Sequence, residues 1–374
     1  MNRIFKDSNL IIIARYIFIF AFIFAFAQSE AAASPRMEVT FLGNTTLYVS
    51  DGETSILVDG FMSRNPFEES FFPAGDLIKC KVRPQRIDSY LSQGRVTNVD
   101  LIVVGHSHYD HALDFAYIAH YLFPEAKIFG SSSTKKIGLG AGLEEERFFP
   151  VVGATPASIK VGRFTVKMIP SIHGNPWMYK GNITDSRPFR HLNDPHTGAA
   201  AYQFKDGGVY TIIIRHEENK RNTRSLLVQN SAGYSASVPK LTEQVDAAFI
   251  AVSGLGSTLL NDRDNYYKNM VENTKARLVV PLHWDNFFED INDIVDNPST
   301  YPYLVNDNFA DALRFVSQPT NPAVPVTLSW TLQKTNPCDS TVRFYQQKFF
   351  ETIDLYDDVS TYDSSRIDKT WKIK

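Results

Sequence analysis

Leu101-Ile102-Val103-Val104-Gly105-His106-Ser107-His108-Tyr109-Asp110-His111 is the stretch on which the whole chain turns. Its first four residues are apolar and largely β-branched, the pattern of a strand buried on both faces. Gly105 ends that run, and four side chains able to ligate a metal follow within six residues: His106, His108, Asp110 and His111. Two positions apart in extended chain, His106 and His108 project to one side and can share an ion. Asp110 falls at the mouth of a following helix, where its carboxylate also suits exposed backbone N–H groups. His111 starts that helix and can turn its ring toward a second ion beside the first. Leu113, Phe115, Ala116, Ile118, Ala119 and Leu122 recur at helical spacing between Ala112 and Phe123, and Lys127 to Gly130 is another short strand. A polar loop that merely covers a strand end would not need this spacing.

Upstream, Met37 to Leu42, Thr46 to Val49 and Ser55 to Val58 are β-rich runs split by Gly43-Asn44 and Asp51-Gly52 turns, which predicts a β-meander. The segment from Gly60 to Asn98 is aromatic and loop-rich, suited to a lid, a pocket wall or plain packing. Further strands are expected at Phe164 to Ile169, Ala199 to Phe204, Val209 to Ile214, Ser225 to Gln229, Ala247 to Val252 and Leu278 to Val280. Helical spacing recurs in Asp264 to Val271 and Asn306 to Val316. The interleaving is too irregular for a doubly wound parallel sheet and fits a mixed α/β sandwich.

The 374 residues, 43% hydrophobic and 21% charged, can bury a sizeable core. A net charge of -3 gives no basic excess for phosphate backbones, so nucleic acid is not expected as a partner. Arg3 and Lys6, then the apolar Leu10 to Ala14, Arg15, and the apolar Tyr16 to Ala27 read as an export signal over residues 1–33. Cleavage after Ala25-Phe26-Ala27 or Ala31-Ala32-Ala33 predicts a periplasmic or secreted product. The alternative is an uncleaved anchor with Arg15 snorkelling to the interface, and only then is a membrane a partner. Cys80 and Cys338 are the two cysteines, too few for a cysteine metal knuckle and able at most to close one long loop.

Zinc takes nitrogen, oxygen or sulfur ligands in a roughly tetrahedral array, and a catalytic site keeps one position for water. His-x-His-x-Asp-His directly after a buried strand resembles the metallo-β-lactamase superfamily, with similarity of element order and spacing from about Met37 to Asp285. That resemblance implies an αββα sandwich over residues 37–320, with metals between the edges of two sheets, and leaves 321–374 an unassigned extension. It also implies a third histidine after a strand, matched by His173 in Met168-Ile169-Pro170-Ser171-Ile172-His173. The last histidine is matched by His283 in Val280-Pro281-Leu282-His283-Trp284-Asp285. Asp59, closing the Ser55 to Val58 strand, is similar to the acidic residue that supports the metal loop from behind its ligands. One departure stands out. Where relatives carry Gly-Asp-x-Gly, this chain reads Asn230-Ser231-Ala232-Gly233, which puts Ser231 at the position of a bridging aspartate. A hydroxyl neither bridges two cations as a carboxylate does nor offsets their charge, so one or two zinc ions, or iron or manganese, are open.

The expected activity is that of a metal-dependent hydrolase in which a metal-bound hydroxide attacks an ester, lactone, phosphodiester or amide of a small molecule or lipid, with Asp110 orienting the water or taking its proton. The continuation Asp110-His111-Ala112-Leu113-Asp114 and the ending Pro281-Leu282-His283-Trp284-Asp285 are closer to the ascorbate-lactonase and N-acyl-phosphatidylethanolamine phospholipase D branch than to true β-lactamases. The alternative is a non-catalytic exported protein that binds metal or a ligand on the same scaffold, with Ser231 as its support. Among the remaining histidines, His120 is expected to pack or face solvent, and His216, followed by the polar run Glu217 to Arg224, to be exposed. His191 and His196, in the long loop after His173, are candidates to line the pocket or to replace a ligand. Tyr109 and Trp284, beside the ligands, are expected to pack, with facing substrate as the alternative.

Overall fold

The computed structural model describes residues 36–66, 79–153, 155–174, 179–220, 222–253, 255, 260–296, 342–345 and 347–357. The export segment at 1–33, the helix expected over 306–316 and Cys338 lie outside them.

Among the described residues, two mixed sheets of seven strands each form the αββα sandwich expected from the sequence. The first has the order β14-β1-β2-β3-β4-β5-β6. Its strands are β1 (Glu38–Phe41), β2 (Leu47–Ser50), β3 (Ser55–Val58), β4 (Leu101–Val103), β5 (Lys127–Ser131), β6 (Phe148–Val151) and β14 (Thr352–Asp354). The second runs β13-β12-β11-β10-β9-β8-β7. It comprises β7 (Ala157–Val161), β8 (Phe164–Ser171), β9 (Val209–Asn219), β10 (Asn222–Gln229), β11 (Ala247–Ala251), β12 (Leu278–Leu282) and β13 (Arg343–Phe344). Each sheet is an antiparallel meander that continues into parallel strands, β3 to β6 in one and β10 to β13 in the other. Residues beyond 321, unassigned by sequence, thus supply an outer strand of each sheet.

Parallel pairing needs crossovers, and helices provide them. Pro84–Gln93 connects β3 to β4, with proline in its first turn and Ile87, Tyr90 and Leu91 turned inward. Ser132–Gly140 connects β5 to β6, its first turn capped by the Ser131 hydroxyl accepting from the Thr134 N–H at 3.1 Å. Strands β4, β11 and β12 are buried along their whole length, as continuous apolar runs predict.

The structure departs from the sequence reading in several places. The single helix expected over 112–123 is broken into Tyr109–Ala112, Phe115–Tyr117 and a wider turn at Ile118–Leu122. The Asp114 N–H leaves the helical ladder to donate to the Gly60 carbonyl at 3.1 Å. Its carboxylate meanwhile accepts from Met62 N, Ser63 N and the Ser63 hydroxyl at 2.6–2.7 Å. Ala199 to Phe204 is not a strand: one bridge pairs Cys80 with Ala199, and Ala201–Gln203 then turns as a 3-10 segment whose Gln203 side chain accepts from Ala200 N. The alanines there lack the β-branching that favours extended chain. The β9–β10 hairpin runs well past the expected strand ends, and its register places His216 opposite Phe164 and Arg224.

Candidate metal centre

Asp110 and His111 lie in the short helix Tyr109–Ala112, and the other expected ligands sit where a strand has just ended. His106 and His108 follow β4, His173 follows β8, Ser231 follows β10 and His283 follows β12. The ends of these strands converge between the two sheets, and the side chains form two adjacent triads. His106, His108 and His173 make one; Asp110, His111 and His283 make the other; within each, the potential ligand atoms lie within 4.8 Å of one another. The rings of His106 and His111, one from each triad, have centroids 3.9 Å apart. His111 Nε2 and His283 Nε2 face the same Asp110 oxygen at 3.3 and 3.2 Å.

A polar frame holds these rings from behind. Asp59, fully buried, accepts from His111 Nδ1 at 2.9 Å, from the Thr45 hydroxyl at 2.6 Å and from Gly105 N at 2.9 Å. Asn44 ties three segments together. Its N–H donates to Asp285, its carbonyl accepts from His283 N at 2.8 Å, and its side-chain NH2 donates to the Asp110 carbonyl at 2.6 Å. Asp285 is itself held by Arg64 in a wholly buried ion pair of 2.7 Å, and Arg64 also donates to the carbonyls of Asn286 and Glu289. Asp59 and His283 both have left-handed backbone conformations, φ +57° and +55°. Non-glycine residues adopt these at some cost, and such strain collects at functional sites.

Burial first, and then the neighbouring imidazoles, hold His106 well below its ordinary value and His108 at about 3. Burial also opposes charge on His111, but Asp110 and Asp59 outweigh it and push that imidazole up to about 10. Asp110 is held well below the usual carboxylate range, because His111 and His283 outweigh its desolvation. His106 and His108 are therefore held neutral, whereas His111 is held charged beside an Asp110 carboxylate that stays ionised.

The donor set fits a divalent cation. His106 Nε2 and His108 Nε2 are buried without a hydrogen-bond partner. Leaving such an atom unsatisfied costs roughly 1–3 kcal/mol, which a bound ion would recover. Nitrogen and oxygen donors in threes match the pattern of catalytic sites, which use three protein ligands and a water, rather than of closed four-ligand structural sites.

Ser231 is buried, and its hydroxyl accepts from Gly174 N at 3.0 Å, which fastens the turn after His173 to the end of β10. Tyr109 packs edge-on against Phe61, and Trp284 packs against both Phe41 and Phe349, as expected of both. His120, His191 and His196 are exposed. His216 overturns its expectation: it is fully buried, 3.1 Å from Asp51, because the hairpin continues as strand through the polar run. Cys80 is buried beside Ala199. Sequence reasoning missed Asn44, Thr45, Arg64, Asn230 and Tyr179. The Tyr179 ring meets His108 edge-on at 6.3 Å, and its backbone hydrogen-bonds that imidazole. Only the clustering of Asn44-Thr45 after a turn glycine hinted at any of them.

The sequence matches no family model. It also matches no curated protein. The fold is similar to that of the metallo-β-lactamase-fold protein YhfI from Bacillus subtilis, at 12% identity over 86% of this chain and 100% of that one, TM-score 0.45. It is similar to Igni18, a metallo hydrolase from the hyperthermophilic archaeon Ignicoccus hospitalis KIN4/I, at 16% identity over 73% and 95%, TM-score 0.42. A diphosphatase from the PhnP family is another such structure, at 12% identity over 70% and 92%, TM-score 0.39. Metallo-β-lactamase-fold metallo-hydrolases recur among the solved structures that the chain resembles.

Proposed function

We propose that the chain is an exported, metal-dependent hydrolase, with zinc as its ion. The observation that carries this reading is the pair of largely buried triads lying side by side, with His106 and His108 nitrogens unsatisfied. His106, His108 and His173 would hold one ion, and Asp110, His111 and His283 a second. A bound divalent ion supplies Lewis acidity and brings the pKa of a coordinated water close to neutrality. The residues of the chain do the rest. Asp110, kept ionised by its histidine neighbours, orients the attacking water and takes its proton at a carboxylate oxygen. Asp59 and Thr45 stop the His111 ring from rotating, and Asn44 fixes Asp110 relative to His283. Burial of the cluster excludes bulk water and strengthens each of these interactions.

The substrate is an ester, lactone, phosphodiester or amide of a small molecule or lipid. The two sequence runs around Asp110 and His283 favour the ascorbate-lactonase and N-acyl-phosphatidylethanolamine phospholipase D branch. Export rests on the basic and apolar N-terminal segment, and retention of that segment as an anchor would direct the enzyme to lipid. The test is elemental analysis of untagged protein, followed by hydrolysis of a panel of lactones, phosphodiesters, amides and β-lactams before and after chelation. Bound zinc with chelator-sensitive turnover is expected. Protein without metal, or turnover indifferent to chelation, overturns the proposal.

A further inference from the structure

We infer that Asn230 is a positioning residue of the metal centre: its carboxamide selects the His106 tautomer that presents Nε2 as a lone pair, and links that ring to the carboxylate holding His111. The assignment follows from counting donors and acceptors. Asp59 receives hydrogen bonds from Gly105 N–H, the Thr45 hydroxyl and the His111 ring. Asn230 Nδ2 lies 3.2 and 3.1 Å from its two oxygens. A carboxylate only accepts, so the amide edge facing Asp59 is the NH2. The carbonyl edge is then left for His106 Nδ1, at 3.3 Å. A carbonyl also only accepts, so Nδ1 carries the proton and Nε2 does not. Nε2 is the ring atom that is buried with no hydrogen-bond partner.

The packing around Asn230 supports the role. Its side chain is fully buried. A Cβ on Gly105 would stand 1.9 Å from Asn230 Nδ2 and 2.6 Å from its Cγ, so the glycine just after β4 is what lets the carboxamide lie against the metal loop. An apolar residue of similar volume would fill the space without choosing between two neutral tautomers, a choice made by the partner of the other ring nitrogen. The chain His106–Asn230–Asp59–His111 thus joins one ligand of each triad through one buried network. Asn230 touches no reacting atom and acts through those two rings.

The inference rests on the metal-centre reading, yet its first readout needs no metal. In metal-free full-length protein labelled with 15N-histidine, long-range 1H–15N spectra should show His106 protonated at Nδ1. Asn230→Ala should populate the Nε2–H form and weaken zinc binding, measured by chelator competition, by about tenfold to a hundredfold, the usual consequence of losing a ligand's hydrogen-bond partner. Asn230→Asp would instead set a second carboxylate against Asp59, so the wild-type spectra, which need no variant, decide the tautomer if the alanine variant fails to fold. Finding His106 protonated at Nε2 in the wild type, or wild-type tautomer and zinc affinity in Asn230→Ala, overturns the assignment. The expected tautomers with no zinc bound by any variant would sink the metal-centre reading and leave the tautomer assignment standing.

Discussion

His111–Asp59 and His216–Asp51 are both buried histidine–aspartate pairs that join elements of the sandwich, and the first belongs to the metal centre while the second does not. His111 and Asp59 meet at 2.9 Å, His216 and Asp51 at 3.1 Å, and all four side chains are inaccessible or nearly so. The second pair is closed. His216 uses its other nitrogen on the Tyr356 hydroxyl at 3.0 Å, and Asp51 also receives Glu53 N, Thr54 N and Arg163. It clamps β9 to the β2–β3 turn and to the C-terminal segment that supplies β14. The first pair is open, because it leads through His111 into a cluster where imidazole nitrogens have no partner and two rings, His111 and His283, crowd Asp110. A buried His–Asp contact alone does not mark a functional site. What marks it is polar capacity left unspent at a cost that folding alone has no reason to bear.

That contrast breaks most visibly under substitution. His106→Ala should remove an ion and lower hydrolysis by on the order of a thousandfold, about 4 kcal/mol of barrier. His216→Ala should leave the turnover of folded protein within about twofold. Steady-state kinetics on the best substrate of the panel checks both, and an inactive but folded His216→Ala protein would erase the distinction. The next largest effect is expected at Asp285. Asp285→Ala leaves Arg64 charged and buried without its partner and frees Asn44, so stability should fall by about 3–5 kcal/mol in urea titration. His283 should loosen with it and zinc affinity should drop. Unchanged stability would mean that Arg64 is held by its carbonyl partners alone. His216→Ala should cost less, about 2 kcal/mol, because Asp51 keeps Arg163 and two backbone N–H groups.

The open site was the more legible of the two in sequence, and the reason is physical. His106, His108, Asp110 and His111 are close in space because they are close along the chain, so their spacing alone carried the geometry. The apolar run ahead of them forecast β4 in the same way, and the Gly43-Asn44 and Asp51-Gly52 turns forecast the opening meander. His216 was misread because a hairpin of alternating polar residues looks like a turn when the strand opposite is unknown. Asp51 lies 165 residues away, and no local pattern announces that pairing. Asn230 and Arg64 were missed for the same reason: each is a polar residue in a loop until the other sheet is placed against it. The helix after the metal loop was forecast as continuous because periodicity does not register the Asp114 N–H leaving the ladder for Gly60.

The smallest expected effect concerns acid, and it tests whether the closed pair is a stability device. Burial pushes the Asp51 carboxyl up, but Thr54 N–H, Glu53 N–H, His216 and Arg163 together outweigh it and hold the group below its ordinary 3.8. The unfolded chain therefore binds the proton more readily than the folded one. The contribution of Asp51 to stability is fully present above about pH 3.8 and is lost as pH falls through the folded value. Asp51→Asn removes that dependence, so the stability gap between wild type and variant should narrow on acidification from about pH 6 to about pH 3. Arg163 is partly solvated, so screening should keep the narrowing below about 1 kcal/mol. Thermal unfolding of metal-free protein across that range measures it without interference from the open site, where ligand protonation would couple to metal loss. A gap that stays constant would mean that Asp51 is held by geometry rather than by charge, and one that widens in acid would reverse the sign of the pairing.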